Sequence, residues 1–381
     1  MRDVIPFNRP CLVGDEVANI AEAIASGHTA SGGPFTERAG SILRTLHHAE
    51  DVLLTTSCTD ALEMSAMLIG VGPGDVVVVP SFTFTSTALA FARQGARLRF
   101  CDIERGTLGM DPQHLDSLMS DDVKAVVTVH YAGVPSAVDR IVPLCESYGA
   151  SLVEDNAHGL FATHRERPLG TFGRMSTLSF HETKNFICGE GGALVLNRAD
   201  DVLPAHVLLD KGTNRMAFME GLVDKYTWQG LGSSFGLSDL LAAFLVAQLE
   251  AADVVRSRRR HVAVTYRHHL AEVAVRWGLE LPLEPVDATP ADHMFYVLLP
   301  SDVDRNELID RMRKRGVNPT FHYVPLHSSP AGVEYSDRPS ACPVTDDVSA
   351  RLLRLPFYND LSDADIERVV RTLDESLSRV P

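Results

Sequence analysis

The sequence predicts an α/β protein built on a large, mostly parallel sheet, followed by a smaller α+β unit. Three observations carry this. Between residues 50 and 200, short apolar runs alternate with helix-like segments. Such near-continuous apolar runs mark strands buried on both faces by helices. A long amphipathic pattern then spans about residues 238–269, and beyond it the order of strand-like and helical stretches changes. This places the large unit at residues 15–250 and the small one at 251–381, with residues 1–14 packing near the latter.

The elements follow in order. Val52-Leu-Leu54 reads as a strand, and Ala61, Leu62, Met64 and Leu68 continue at helical spacing. Val76-Val-Val-Val79 is a buried strand, residues 85–94 a helix and Leu98-Arg-Phe-Cys101 a strand. Ala125-Val-Val-Thr-Val129, Ser151-Leu-Val153 and residues 175–180 continue the series, and Ala193-Leu-Val-Leu196 closes it. Leu240, Leu241, Phe244, Leu245, Gln248 and Leu249 set the long helix. Then come a strand at 294–299, a helix at 305–314, a strand at 317–324 and a last helix at 363–378. Gly70-Val-Gly-Pro-Gly74 follows a helix and precedes a strand, the reverse of the dinucleotide fingerprint, and is a turn.

Composition narrows the function. The 381 residues are 45% hydrophobic and 22% charged, ordinary for a globular protein with an ample core. The net charge of −15 argues against nucleic acid as the main partner. The basic run Arg256-Ser-Arg-Arg-Arg260 reads as a solvated helix face. Cys11, Cys58, Cys101, Cys145, Cys188 and Cys342 form no CxxC pair, so neither a disulfide framework nor a zinc site is indicated. His47-His48 and His268-His269 read as surface pairs. No signal peptide or membrane span is apparent, so a reducing cytoplasm is expected.

In open parallel sheets ligands collect beyond the carboxyl ends of strands, and four such ends carry chemistry. Thr55-Thr-Ser-Cys-Thr59 opens a helix, whose free N–H groups suit a phosphate or simply receive a cap from Ser57 or Thr59. Pro80-Ser-Phe-Thr-Phe84 brings an aromatic that stacks on a flat ring or packs in the core. Glu154-Asp-Asn-Ala-His158 brings an acid for a cationic ring nitrogen, or a turn acid. The fourth end is Ser179-Phe-His-Glu-Thr-Lys-Asn185, followed by Gly189-Glu-Gly-Gly192. Its Lys184 lies on a loop between buried strands, where burial eases deprotonation and a neutral amine can form a Schiff base. Phosphate cradle, ring stacker, ring-nitrogen acid and lysine are together what pyridoxal phosphate needs.

These residues resemble the DegT/DnrJ/EryC1/StrS sugar aminotransferases over nearly the whole chain. Shared runs include Thr56-Ser-Cys-Thr59, Val129-His-Tyr-Ala-Gly133, Lys211-Gly-Thr-Asn-Arg215, Val223-Asp-Lys-Tyr-Thr-Trp228 and Phe321-His-Tyr-Val-Pro-Leu-His327. Within the family the chain looks most like the branch that makes dTDP-4-amino-4,6-dideoxygalactose. The resemblance implies a pyridoxal-phosphate-dependent transferase of fold type I, aspartate aminotransferase-like. It implies Lys184 as Schiff-base lysine and proton shuttle, Asp155 at the ring nitrogen and Phe84 on the ring. His158, where most members have Gln, would lie near the phenolic oxygen with a charge that varies with pH. Ser57, Cys58 and Ser179 would bind phosphate, with Ser234 reaching it from a partner subunit of a homodimer. Cys58, in place of Gly or Ala, narrows the phosphate loop. Lys211, Arg215, Lys225 and His327 border the sugar-nucleotide site. L-glutamate and a dTDP-sugar are the implied substrates, with no nucleic acid and no membrane. A dehydratase branch replaces the lysine by histidine, so the lysine here favours transamination. Other readings are C3 amination, another nucleotide, or a regulatory protein that binds the cofactor without turnover. An NAD-dependent oxidoreductase lacks its fingerprint.

A dianionic nucleotide on an acidic protein requires a local basic patch. Charge reversal at Lys211, Arg215 and Lys225 together is expected to raise the sugar-nucleotide KM. An unchanged KM would remove the patch assignment.

Overall fold

The computed structural model describes residues 4–378. Seven strands form the large sheet: β1 (Asp51–Thr55), β2 (Val76–Pro80), β3 (Arg97–Cys101), β4 (Val123–Val129), β5 (Ser151–Asp155), β8 (Met175–Ser179) and β9 (Gly192–Leu196). Between β5 and β8, the short strands β6 (Thr163–His164) and β7 (Arg167–Pro168) pair with β10 (Ala288–Thr289). A third sheet holds β11 (Tyr296–Leu298), β12 (Thr320–Phe321) and β13 (Leu352–Arg354) in the order β11-β13-β12. The large sheet runs β1-β9-β8-β5-β4-β2-β3. β8, β5, β4, β2 and β3 are mutually parallel, while β9 runs against both its neighbours.

The valines of β2 show why the runs are apolar throughout. Val77 and Val79 pack with Leu62, Phe91 and Val153 on one face. Val76 and Val78 pack with Leu115, Ile141 and Leu152 on the other. Under β1, β8 and β9 a further cluster joins Leu54, Leu178 and Val195 to Leu43 and Leu245 of flanking helices. Each fully buried Val or Leu contributes roughly 1.5–3 kcal/mol, so both layers hold the sheet in register.

The long amphipathic pattern is two helices. Asp239–Glu250 ends at Ala251 (φ −91°, ψ 20°), and Ala252–Trp277 begins beyond it. The hydrophobic period continues through the break, which is why sequence spacing reads them as one. The second helix packs on Asp363–Leu377 and on the β11-β13-β12 sheet through Val262, Tyr266, Leu270, Val297, Leu353 and Leu373. Ile5 joins that core by bonding Gly316 and Asn318. The expected strand at 317–324 shortens to Thr320–Phe321, and the chain beyond it turns inward toward β2. No helix is long and apolar enough to cross a membrane among the described residues.

Two surface readings are corrected. Arg259, within the basic run, is buried, and its guanidinium donates to the carbonyls of Asp292 and His293 and to Asn359 Oδ1. His47 is also buried, its Nδ1 meeting the Leu43 carbonyl. Helical periodicity puts both on inward faces that a charge count does not see.

Adjacent acids on β5 face opposite sides of the sheet, as strand alternation requires. Glu154 turns away from Asp155 and accepts from the N–H groups of Gly170, Phe172 and Gly173 and from His130 Nε2. Burial alone would raise its pKa, but His130 and those N–H groups outweigh it and hold the carboxyl below its ordinary range. Glu154→Ala would leave these donors buried and unpaired, so a loss of about 3–5 kcal/mol is expected in urea unfolding. A loss under about 1 kcal/mol would show that Glu154 does not staple the 170–173 turn.

Candidate active site

The strand order brings the four chemistry-bearing ends to one edge. Ser57 caps the helix Cys58–Ile69 by accepting from Asp60 N–H at 3.1 Å. The N–H groups of Cys58 and Thr59 meet no protein acceptor among the described residues. Gly192, first residue of β9, pairs with both Thr55 and Ser179. A Cβ there would sit 2.4 Å from the Cys58 nitrogen. That close approach sets Ser179 beside the Ser57–Cys58 turn. Cys58 Sγ lies 3.5 Å from Thr177 Oγ1, and burial pushes its thiol up to about 12, so it is held as a neutral thiol.

Asp155 ends β5 on the same face as Val153 and Thr177. Its Oδ2 accepts from Thr87 Oγ1 at 2.7 Å, and Oδ1 accepts from Ala157 N–H at 3.2 Å. Thr87 in turn meets Thr83 Oγ1 at 2.8 Å. No cation lies within 4.0 Å of this buried carboxylate among the described residues. Burial raises its pKa, while the bond from Thr87 opposes the rise. Phe84, on the loop after β2, is 60% exposed, whereas Phe82 two residues earlier packs against Tyr131 and Tyr323. An apolar ring left open beside a buried acid is suited to covering a planar ligand.

Lys184 is half-buried on a loop closed at its base by the bonds Phe180–Gly191, Cys188–Phe180 and Glu182–Gly189. Its own N–H donates to His181 O at 2.9 Å. Gly189 (φ +91°) permits the tight return. The ammonium makes no salt bridge within 4.0 Å among the described residues. Desolvation lowers its pKa to about 8, with Cys58 and Asp155 pulling the other way and Arg354 adding to the drop.

His158 is buried and stacks on His293 at 4.3 Å and 15°. His293 Nδ1 is fixed by Asn185 Oδ1 at 2.8 Å, and Asn185 donates to Ala291 O at 2.7 Å. The residue after Lys184 therefore orients the His158 stack. His158 Nδ1 is enclosed without a partner. Burial, then the charges of Lys184 and neighbours, push its pKa well below the usual value. The expected pH-variable charge is thus corrected, because His158 is neutral in the working range.

The remaining candidates are less central. His327 is half-buried, its Nδ1 held by Ser81 Oγ at 2.7 Å and its Nε2 3.6 Å from Asp346. This ties the 321–327 loop to the end of β2. Lys211 and Arg215 are exposed and share Asp210, at 2.8 and 3.4 Å, so part of their charge is already met. Lys225 is exposed on the same segment, and Ser234 is exposed where Asp210 bridges it. The hydrogen bonds of residues 211–231 stay within the segment or reach the helix Val202–Leu209, Asp210 and Ser233. Residues that sequence reading missed are Thr87, His293 and Arg354. They come from the first turn of the helix Ser86–Ala92, the loop before β11 and the end of β13, and no local motif marks them.

The donor set fits pyridoxal phosphate. A buried acid without a cation, an orphaned imidazole nitrogen, unbonded N–H groups at a helix start and a glycine cradle each match one part of it. This fold and site define the class of pyridoxal-phosphate-dependent aminotransferases. The chain belongs to the DegT/DnrJ/EryC1/StrS aminotransferase family, whose pattern matches residues 10–374. It is similar to the aminotransferase TlmJ from Streptoalloteichus hindustanus, at 29% identity and TM-score 0.89, over 98% of this chain and 99% of that one. DesV from S. venezuelae, solved with a ketimine intermediate, is 27% identical with TM-score 0.87 over 100% of both chains. A Streptococcus pneumoniae protein in its PLP form shares the fold at 22% identity and TM-score 0.90, over 99% of this chain and 100% of that one.

A depressed lysine pKa has a kinetic signature. The amine is protonated and inert below about pH 8 and nucleophilic above it. Capture of pyridoxal phosphate by the apoenzyme, followed by stopped-flow absorbance, is expected to accelerate with a midpoint of about 8. A midpoint near the ordinary 10.5 would show that the lysine is not desolvated.

Proposed function

We propose that the chain moves the amino group of L-glutamate to C4 of dTDP-4-dehydro-6-deoxy-D-glucose by a ping-pong reaction, giving a dTDP-4-amino-4,6-dideoxyhexose. The observation that carries the aminotransfer is the desolvated Lys184 near the buried acid Asp155, neither of them in a salt bridge among the described residues. The long runs at 179–185, 211–215, 223–228 and 321–327 support the nucleotide-sugar branch.

When bound, pyridoxal phosphate supplies an electrophilic carbonyl and a ring that withdraws electrons. Asp155 would pair with the ring nitrogen and keep its proton in place, the ring supplying the cation that the carboxylate lacks. Thr87 orients the carboxylate through Oδ2. Phe84 covers one ring face. His158 presents Nδ1 to the phenolic oxygen as a neutral partner. Ser57, Cys58 and Ser179 receive the phosphate at the N–H-rich turn. Lys184 Nζ would take the proton from the donor's α-carbon and, in the second half, deliver a proton to sugar C4. An amine near pKa 8 serves both directions close to neutral pH.

A homodimer with shared sites accompanies this reading. Met219, Leu222, Tyr226, Trp228 and Leu231 are exposed on one segment, with Trp228 81% exposed. Apolar exposure of this density supports a second copy covering it. Ser234 and the basic residues would then serve the partner's site.

The face of the sugar turned to Lys184 sets the product: axial delivery gives the galacto amine and equatorial delivery the gluco amine. Lys184→Ala is expected to abolish turnover and the absorbance of lysine-bound cofactor. NMR of the product from the 4-keto sugar and glutamate is expected to show nitrogen on C4. Normal turnover by the variant would overturn the mechanism, and nitrogen on C3 the regiochemistry.

A further inference from the structure

His293 is a polar ring where packing alone would place an apolar one. It lies in the loop before β11, next to the apolar run Met294-Phe-Tyr-Val297. The ring is buried, and its Nδ1 meets Asn185 Oδ1 at 2.8 Å. That bond has a fixed direction. Asn185 Nδ2 donates to the Ala291 carbonyl at 2.7 Å, and a carbonyl only accepts, so the amide oxygen faces the ring. The amide oxygen also only accepts, so His293 carries its proton on Nδ1. A buried imidazole is costly unless it is bonded, and this bond ties the ring to the residue next to Lys184.

The backbone beside the ring is pinned as well. The His293 carbonyl accepts from the buried Arg259 at 2.5 Å. The N–H groups of Ala291 and His293 donate to the carbonyls of Gly133 at 3.1 Å and Ala132 at 3.4 Å. Gly133 (φ +79°) lets these segments close, since a Cβ there would sit 2.5 Å from Ala291 Cβ and 2.7 Å from the His158 carbonyl oxygen. His293 thus offers a fixed flat face. His158 lies on it with ring centroids 4.3 Å apart and planes at 15°, and Tyr131 stands edge-on to His158 at 5.9 Å. His158 Nδ1 has no partner, and these ring contacts set the plane in which it points. The other titratable groups facing His158 are Lys184, His322 and Arg354, whose charges disfavour a proton on it.

We infer that His293 is a positioning residue for His158: it stacks on the imidazole, keeps water from its face and carries the orientation of the lysine loop to it through Asn185. This deepens the proposed function and rests on the reading that His158 borders the cofactor's phenolic oxygen. His293 itself touches neither cofactor nor substrate in this role, so its effect must pass through His158.

His293→Ala and His293→Phe are compared in the wild-type and His158→Gln backgrounds. Two readouts are taken without substrate: the dissociation constant of pyridoxal phosphate from titration of the apoenzyme, and the absorbance of the bound cofactor from about pH 5 to about pH 8. His293→Ala is expected to weaken the cofactor about 3- to 10-fold. Water then reaches His158, and its pKa, held well below 6.5 in the wild type, climbs back toward that value. The imidazole is then protonated at the acid end, which adds a transition between about pH 5 and 7 that the wild type lacks. His293→Phe restores the flat face without the donor to Asn185 and should recover most of both readouts. In the His158→Gln background His293→Ala should change affinity less than about twofold and add no transition, which also certifies the fold. Where the alanine variant does not fold, His293→Leu fills the volume without a flat ring and should show the same loss of affinity, again only beside His158. Equal losses in both backgrounds would make His293 a general support and overturn the inference. No loss, or a phenylalanine variant as weak as alanine, would overturn it as well. His158→Gln with both readouts unchanged would remove His158 from the phenolic oxygen and the inference with it. Neither readout uses a sugar or an amino donor, so failure here leaves the C4 and glutamate assignments standing.

Discussion

Asp155 is enclosed at the end of β5 with two hydrogen bonds and, among the described residues, no cation within 4.0 Å. Taking a carboxylate out of water costs several kcal/mol unless charge returns to it. Most of the site can be understood as the arrangement that keeps this acid in place and would bring a cationic group to it. Thr87, itself bonded to Thr83, holds one oxygen. Thr177 and Cys58 close the same face of the sheet. The same dryness strips water from Lys184 and His158, making an amine that titrates near neutrality and an imidazole that stays uncharged.

The large sheet supplies rigidity and the smaller one supplies reach. Glu154, one residue from Asp155, binds the 170–173 turn on the opposite face, so one strand serves both structure and chemistry. The cluster of Phe82, Tyr131, Met294, Tyr296 and Leu352 joins the loops beyond β2 and β4 to the β11-β13-β12 sheet. Through that junction His322, Tyr323 and Arg354 approach the edge where Lys184 sits. The Asn185–His293–His158 chain makes a second link, from the lysine loop to the start of β11.

Legibility followed locality. Val76–Val79 and Asp155 could be read because near-continuous apolar runs and a following acid are short-range signals. Lys184, Ser57 and Phe84 stood at the ends of such runs. Arg259 and His47 were misread because a charge count does not reveal which helix face turns inward. The break at Ala251 was invisible because the apolar period continues across it. Thr87 lies inside an ordinary apolar helix and gains meaning only from the carboxylate opposite it.

The sequence by itself determined the strand series, the parallel character of most of the sheet and the placement of Lys184, Asp155 and the Ser57–Cys58 turn at strand ends. These depend on residue type and spacing along the chain. Only the tertiary structure decided protonation and partnership. It made His158 neutral, gave Lys211 and Arg215 a shared carboxylate, placed Glu154 on the far face and left Arg354 with no carboxylate within 4.0 Å among the described residues. Those outcomes depend on which groups are dry and which charges face them, and that is fixed by how the folded chain brings its segments together.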